Sequence, residues 1–229
     1  MCVIIYSPDV LPTQDTLRDA EFANGDGGGL AWKSGGRIHW AKGLTAMEMY
    51  AMIEDKQIKP PLITHFRIAT EGGVSEELCH PFPVVKKMNN DIEGVNNTVL
   101  FHNGIWRNWE ETAMAIVTRH AEAFPLGPWS DSRAMAWISA YCGVGFPQLT
   151  EEKVAVMSRN HVHIFGTGGS KFSENEGVHH ASNNFFLSSS TFYGGAHKGV
   201  AKKYLGTTST NRVSSTPTRN GVPLTNTTP

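Results

Sequence analysis

Cys2 is the residue of this sequence best placed to act as a nucleophile, because it directly follows the initiator methionine. If Met1 is removed, Cys2 becomes the N-terminal residue, and its α-amino group lies beside its own thiol. An α-amino pKa of about 7.7–8.0 leaves much of that amine as free base near neutral pH, so it could take the thiol proton. Considered alone, a cysteine at this position is more simply interpreted as an ordinary strand residue.

An Asn-Gly pair offers donors for a developing negative charge. The apolar residues 98–101 lead into His102, Asn103 and Gly104. The Asn103 side-chain amide and the Gly104 backbone N–H are the kind of fixed donors that stabilise an oxyanion. Asn-Gly is also the commonest turn dipeptide, so in isolation the pair indicates only a turn.

Two residues of opposite charge suit the two ends of a free amino acid. Arg67 follows a predicted buried strand, and its planar guanidinium can hold a carboxylate in two bonds. Asp131 precedes a predicted helix and could face an ammonium group. Read separately, Arg67 fits a structural ion pair and Asp131 fits a helix N-cap. Together they would form a clamp for an amino acid.

A family resemblance connects these residues. The sequence resembles the class II glutamine amidotransferase domain, the N-terminal-nucleophile glutaminase, from residue 2 to about residue 190. The matching segments occur in the order typical of that family, and together they are far more specific than any one of them. They are Met-Cys at 1–2, NGDGGGLA at 24–31, HFRIAT at 65–70, CHPF at 79–82, HNGI at 102–105 and SDS at 130–132.

The resemblance implies a reaction and its catalytic groups. Cys2 matches the nucleophile, with its own α-amino group as the base, and Asn103 and Gly104 match the oxyanion hole. The implied reaction is hydrolysis of the glutamine side-chain amide through a thioester on Cys2. The released ammonia would pass to an acceptor, which we expect to be a separate synthase in trans. The implied function is therefore that of a glutamine amidotransferase.

The resemblance also implies how glutamine is held. Arg67 matches the group that binds the α-carboxylate, Asp131 matches the group that binds the α-ammonium, and Thr70 falls in the loop that contacts glutamine. Three positions depart from the family pattern without removing a required donor or charge. These are Val3 in place of a small glycine, Ile68 in place of an aromatic residue, and Glu71 in place of histidine.

Short strands must position most of these side chains. Period-two and apolar runs predict strands over residues 3–6, 29–33, 37–40, 62–68, 98–101, 153–158, 161–165 and 184–188, with a hairpin at 158–160. Helical periodicity predicts helices over residues 45–55, 109–124 and 132–141. Asn108 is a candidate N-cap for the second helix, and Ser130 or Asp131 for the third.

This pattern predicts an α+β fold. Many strands without strict βαβ alternation favour mainly antiparallel sheets covered by helices, and the resemblance implies an αββα sandwich. We expect one domain over residues 2–205. Residues 206–229 are rich in Ser, Thr, Asn and Pro and predict a disordered tail.

Composition narrows the remaining function classes. The 20 basic and 21 acidic residues are interspersed, with a net charge of −1, so no nucleic-acid or anionic-membrane partner is indicated. The apolar run at residues 3–6 is too short for a signal peptide or a membrane span, so we expect a cytoplasmic protein. Three cysteines without regular spacing predict no disulfide framework. No cofactor is indicated, and the ten histidines show no metal-site spacing.

Two alternatives remain open at the level of sequence. A different N-terminal-nucleophile amidohydrolase would share Cys2 and the fold, but it would not need to pair Arg67 with Asp131. An inactive domain that serves as a binding or regulatory subunit would retain Met1 or carry a blocked thiol. Glutamine dependence separates the first alternative from the glutaminase, and the state of the N-terminus separates the second.

Overall fold

The computed structural model describes residues 2–69, 73–166, 173–175 and 178–182. These ranges contain four α-helices and eleven strands. The helices are α1 (Gln14–Ala23), α2 (Ala46–Asp55), α3 (Trp109–His120) and α4 (Asp131–Cys142). The strands are β1 (Val3–Ser7), β2 (Gly28–Ser34), β3 (Arg37–Leu44), β4 (Leu62–Phe66), β5 (Phe82–Pro83), β6 (Glu93–Asn96), β7 (Thr98–Asn103), β8 (Lys153–Ser158), β9 (Val162–Phe165), β10 (Ser173–Asn175) and β11 (Val178–Ser182).

The strands form two sheets. The larger sheet has seven strands in the order β10-β11-β1-β4-β2-β3-β6, and the smaller has four in the order β5-β7-β8-β9. Every strand pairing within the described ranges is antiparallel. β1, which follows Cys2, therefore lies inside the larger sheet between β4 and β11, where both neighbours hold it by backbone hydrogen bonds.

The molecule has four layers: helices α1 and α2, the larger sheet, the smaller sheet, and helices α3 and α4. The alternating side chains of the strands show how these layers pack. Val3 and Ile5 of β1 pack with residues of α1 and α2, whereas Ile4 faces the smaller sheet and packs with Phe101 of β7. Leu100 of β7 points the other way, toward α4. This period-two alternation places one apolar core on each side of each sheet. The predicted α+β sandwich of two antiparallel sheets covered by helices is therefore confirmed.

Helix α4 packs directly on the smaller sheet and against α3. Its first nine residues, 131–139, are all buried. Trp137 has no exposed surface and packs with Ala113 and Ile116 of α3. Because α4 is held against both α3 and the smaller sheet, its first turn has a fixed position.

Hydrogen bonds at the helix N-termini explain where most helices begin. Thr13 accepts from the backbone of Thr16 at the start of α1. Thr45 and Glu48 form a capping box at the start of α2. Ser130 accepts from the backbone of Arg133, so Ser130 is the N-cap of α4 and Asp131 is its first helical residue.

The predicted N-cap of α3 is correct in position only. Asn108 occupies the N-cap, but its side chain makes no capping hydrogen bond. The Asn108 carbonyl instead accepts from both the backbone and the hydroxyl of Thr112. The helix also ends earlier than predicted, at His120, because Ala121 adopts a left-handed conformation with φ of 52°.

Of the remaining predictions, one lies within the described residues and three lie outside them. The hairpin at 158–160 is confirmed by the pairing of β8 with β9. The predicted strand at 184–188, the predicted tail from residue 206 and Thr70 lie outside the described ranges. None of the helices in the described part is long and apolar enough to cross a membrane.

Candidate functional site

The sandwich brings Cys2 and Asn103 into contact although they are 101 residues apart. The Cys2 nitrogen donates to Asn103 Oδ1 over 3.1 Å. Cys2 precedes β1 of the larger sheet, and Asn103 is the last residue of β7 in the smaller one. Asn103 is fully buried. The two sheets therefore place the candidate nucleophile and a candidate oxyanion donor at the same end of the sandwich.

The Cys2 thiol has a protein environment that disfavours its charged form. Its Sγ lies 3.8 Å from the Ile68 carbonyl oxygen, to which the thiol can donate a weak hydrogen bond. Burial raises the pKa of the Cys2 thiol above its ordinary value, and the positive charge of Arg67 acts in the opposite direction. Little thiolate forms unaided near neutral pH, so a nucleophilic Cys2 requires a base.

A glycine turn leads into the wall of the site. Gly27 has φ of +96°, a conformation that a side chain disfavours. A Cβ on Gly29 would overlap the His80 carbonyl oxygen and lie 2.6 Å from the Ala41 carbonyl oxygen. These two glycines allow the start of β2 to lie directly against the backbone at His80, which lines the site.

Asp26, beside these glycines, fixes the backbone on both sides of Arg67. The Asp26 nitrogen donates to the Arg67 carbonyl over 2.9 Å, and the Arg67 nitrogen donates to the Gly27 carbonyl over 2.9 Å. The Asp26 carboxylate accepts from the Ala69 nitrogen over 2.8 Å. Asp26 belongs to the NGDGGGLA segment, and it holds the backbone around Arg67 through contacts that form only in the fold.

Arg67 lies just after β4 and is almost completely buried. Its guanidinium donates through Nη1 to the Gly73 carbonyl over 2.7 Å. The side chain is thus held in the cleft by the protein itself and carries a charge that suits a carboxylate.

Asp131, the first residue of α4, presents a carboxylate with a defined orientation. Its Oδ1 accepts from the Ser132 nitrogen over 2.7 Å and from the Ser132 hydroxyl over 3.2 Å. Its Oδ2 accepts from the Trp106 nitrogen over 3.0 Å. A carboxylate offers about four acceptor positions, so these three bonds leave one for an added donor.

One cleft joins these groups. Its lining includes Cys2, Arg67, Gly104 and Asp131, and Asn103 lies directly behind Cys2. The structure therefore brings together five of the six site residues predicted from the sequence, and the sixth, Thr70, lies outside the described ranges. The cleft is small, with a volume of about 20 Å³.

Three buried histidines lie beside the cleft, and sequence reasoning gave them no role. They are His65, His80 and His102, and the rings of His65 and His80 have centroids 3.9 Å apart. Burial lowers the pKa of His65 to about 3, and burial also lowers the pKa of His80 well below its usual value. His65 and His80 are therefore neutral at physiological pH. All three lie in segments that carry the family resemblance: His65 in HFRIAT, His80 in CHPF and His102 in HNGI.

Ser132 and Glu152 also contact groups of the cleft. The Ser132 hydroxyl lies 2.9 Å from His102 Nδ1 and connects that ring to Asp131. Glu152 Oε2 lies 3.8 Å from His102 Nε2. Ser132 was quoted in a motif without a role. Glu152 carries no local sequence signal, because only the pairing of β7 with β8 brings it near His102.

Comparison with solved structures identifies the architecture. A glutamine phosphoribosylpyrophosphate amidotransferase from B. subtilis, complexed with ADP and GMP, superposes with a TM-score of 0.55 at 13% identity. A structure described as the allosteric regulatory enzyme of purine biosynthesis superposes with a TM-score of 0.56 at 18% identity. This chain has the fold of those enzymes. The resemblance in fold to an N-terminal-nucleophile amidotransferase is thus confirmed.

The extent of the match is partial. It covers 82% of this chain in both comparisons, but only 44% and 43% of the two solved chains. This chain thus corresponds to less than half of each enzyme. No protein-family model matches the sequence, and no curated protein matches it. At this level of identity the likeness establishes the fold, and the activity rests on the geometry of the cleft.

Proposed function

We propose that this protein is a glutamine amidotransferase that hydrolyses the side-chain amide of L-glutamine through a thioester on Cys2. One observation carries the proposal. Cys2, bonded through its nitrogen to Asn103, shares a single small cleft with the buried cation Arg67 and the oriented carboxylate Asp131. A nucleophile between an anion binder and a cation binder suits an amino acid whose side chain carries the reacting group.

The first step is activation of the thiol. When Met1 is removed, the nitrogen that donates to Asn103 Oδ1 becomes the α-amino group of Cys2. An ordinary α-amino pKa of about 7.7–8.0 makes this amine a suitable acceptor for the thiol proton, which burial otherwise retains. The Asn103 oxygen then orients the amine beside the sulfur.

The second step is attack on the amide. The Cys2 sulfur forms a bond to the side-chain amide carbon, and the carbonyl electrons move onto oxygen. In our proposal, Asn103 Nδ2 and the Gly104 N–H donate to that oxyanion. The carbon–nitrogen bond then breaks, and ammonia leaves with the proton that the α-amino group had taken. Water adds to the remaining thioester and releases glutamate.

Substrate binding uses the two charges of the cleft. Arg67 pairs with the α-carboxylate of glutamine, and the remaining acceptor position of Asp131 takes the α-ammonium. We propose that Thr70 also contacts glutamine, as the family resemblance implies.

The ammonia acceptor is a further part of the proposal. We propose that a synthase in trans uses the ammonia. Co-purification with that synthase, together with glutaminase activity that rises when it is added, would support this arrangement. Recovery of this chain alone, with no such rise, would contradict it.

The central experiment is intact mass spectrometry before and after treatment with 6-diazo-5-oxonorleucine, an electrophilic glutamine analogue. We expect loss of Met1 and then one adduct on Cys2 that glutamine suppresses. Cys142 provides an internal control, because it is exposed and lies at the end of α4, whereas Cys79 is buried. The Cys142→Ser variant should be labelled to the same extent as the unchanged protein.

Each of the following results would overturn the proposal. Retention of Met1 would leave Cys2 without its base. An adduct on Cys142, or an adduct on Cys2 that glutamine does not suppress, would show general thiol reactivity rather than a glutamine site. Turnover of another amide without glutamine turnover would instead indicate a different N-terminal-nucleophile amidohydrolase.

A further inference from the structure

Two hydrogen-bond acceptors converge beside Gly104. A Cβ added to Gly104 would overlap Glu152 Oε2 and would lie 2.9 Å from His102 Nε2, so both atoms border the same face of this glycine. The two atoms are 3.8 Å apart, too far for a hydrogen bond between them. The space between them is therefore bordered by two polar atoms that do not satisfy each other.

The hydrogen bonds of Ser132 determine which atom of His102 carries hydrogen. The Ser132 hydroxyl has one hydrogen, which it donates to the Asp131 carboxylate over 3.2 Å. The same hydroxyl oxygen must then accept from His102 Nδ1, 2.9 Å away. In the neutral ring, Nε2 consequently carries the lone pair and is an acceptor.

This acceptor is buried and has no hydrogen-bond partner. The His102 side chain is 1% exposed, and Nε2 makes no hydrogen bond with any described residue. Buried polar atoms are rarely left without a partner, so an unpaired one indicates a ligand or a bound water. Glu152 adds a negative charge at the same point and is 25% exposed at its side chain, so the space can be reached from solvent.

Glu152 also lies between two cavities. It lines a second cavity of about 310 Å³, formed by residues 147–148, 151–152 and 164–166. It touches Gly104 and His102, which line the cleft that contains Cys2. Glu152 therefore lies close to both the cleft and the larger cavity.

We propose that His102 Nε2 and the Glu152 carboxylate form a binding site for the ammonium ion. Ammonium has the required chemistry, because it is a small cation with four N–H donors. A single nitrogen at about 2.9 Å from each acceptor can bridge two atoms that are 3.8 Å apart. The described residues contain no group of three metal-ligating side chains, so a divalent metal fits this pair less well. That the bound ammonium is the reaction product, formed when the released ammonia takes a proton from solvent water, rests on the proposed glutaminase function.

The test measures binding and needs no glutamine. The protein is labelled with 15N-histidine, and the ring-nitrogen signals are followed by NMR during titration with ammonium chloride. The His102 signals are assigned by their loss in His102→Gln. We expect the His102 pattern of a protonated Nδ1 and an unprotonated Nε2, with a saturable shift of Nε2 that potassium chloride does not produce. Glu152→Gln should weaken this response at least about tenfold, because it removes the charge.

Glu151→Gln is the matched control, since Glu151 lines the same larger cavity but does not border Gly104. Its titration should equal that of the unchanged protein. A flat response to ammonium chloride, an equal response to potassium chloride, or an unchanged response in Glu152→Gln would each overturn the site. Ammonium binding without glutaminase activity would sustain the site and remove its assignment to a product, whereas glutaminase activity without ammonium binding would overturn the site alone.

Discussion

The Asn103→Ala substitution tests two roles of one side chain: its oxygen holds the Cys2 nitrogen in the fold, and its amide is proposed to stabilise the oxyanion. Its oxygen accepts from the Cys2 nitrogen over 3.1 Å in a fully buried position. Loss of that acceptor leaves a buried donor unsatisfied and should lower the free energy of unfolding by about 1–3 kcal/mol. Loss of an oxyanion donor should lower kcat about 100–1000-fold, equivalent to about 2.7–4 kcal/mol in the transition state.

The assay combines two measurements on the same preparation. Glutamate release at varied glutamine gives kcat and KM, and urea denaturation gives the free energy of unfolding. The KM for glutamine should change little, because the oxyanion exists only in the transition state. Activity must be measured well below the urea midpoint, so that the fraction of unfolded protein does not enter kcat.

Asn96→Ala is the matched control for this substitution. Asn96 Oδ1 accepts from Trp40 Nε1 over 2.7 Å, and Asn96 belongs to β6 at the edge of the larger sheet. Its removal should cost stability and leave kcat unchanged. If Asn103→Ala loses stability while kcat stays near that of Asn96→Ala, the oxyanion role is refuted. If kcat falls while stability is unchanged, the contact with Cys2 is unimportant for the fold.

Three further predictions concern binding, packing and pH. Arg67→Lys keeps the charge but loses the planar fork, so it should raise the KM for glutamine about 10–150-fold with little change in kcat, whereas an unchanged KM would contradict the carboxylate role. Gly104→Ala should cost about 1–3 kcal/mol, because its Cβ would overlap Glu152 Oε2 and lie 2.9 Å from the buried His102 Nε2, and Glu152→Ala in the same chain should restore only the part of that loss due to Glu152 in urea denaturation. The pKa of His65 is lowered to about 3 in the fold, so the unfolded chain binds a proton first as pH falls below about 6.5. His65 should then lower stability by up to about 1.4 kcal/mol per pH unit between pH 6 and 4, and the lowered pKa of His80 should add to this loss. His65→Gln should reduce the slope by the His65 part.

The central strands could be predicted from the sequence because they are short, mostly apolar runs. Residues 3–6, 62–68 and 98–101 carry apolar side chains on both faces, with a few buried polar residues in the second run, and both faces are in fact largely covered. Helix α1, which packs with α2 on the larger sheet, is not predicted by the sequence pattern. Its buried residues Leu17, Ala20 and Ala23 are spaced by three, but a short and polar segment gives a weak periodic signal, and Thr13 alone marks its start.

The edge strands could not be predicted for a different reason. β6 consists of Glu93–Asn96, which has no apolar alternation. Its pairing comes from β3, and Gly94 lies so close to Trp40 that a Cβ would be 2.9 Å from the indole ring. A strand of this kind is defined by its neighbour rather than by its own residues, so tertiary contacts override local preference.

The same distinction applies to the cleft. The residues proposed to bind and attack glutamine carry their chemistry in their own side chains, so a single sequence can nominate Cys2, Arg67 and Asp131. The groups that orient them cannot be nominated in this way. Asp26 and Ser132 act through backbone and hydroxyl contacts that exist only after folding.

The low identity to the two solved amidotransferases has a physical explanation in this architecture. Sheet packing requires apolar side chains at alternate positions, and many different sequences satisfy that pattern with 13–18% identity. The distance from Cys2 to Asn103, by contrast, depends on how β1 and β7 stack, since they lie in different sheets. The packing of Ile4 against Phe101 fixes how the two strands stack. Ile4 is the second residue of β1, and Phe101 lies two residues before the end of β7, so this contact is close to both Cys2 and Asn103. Phe101→Ala would create a cavity at this contact, and it should therefore impair glutamine turnover in protein that is still folded. Ile138→Ala, which would create a cavity between α3 and α4, is the control: it should lower stability with less effect on kcat.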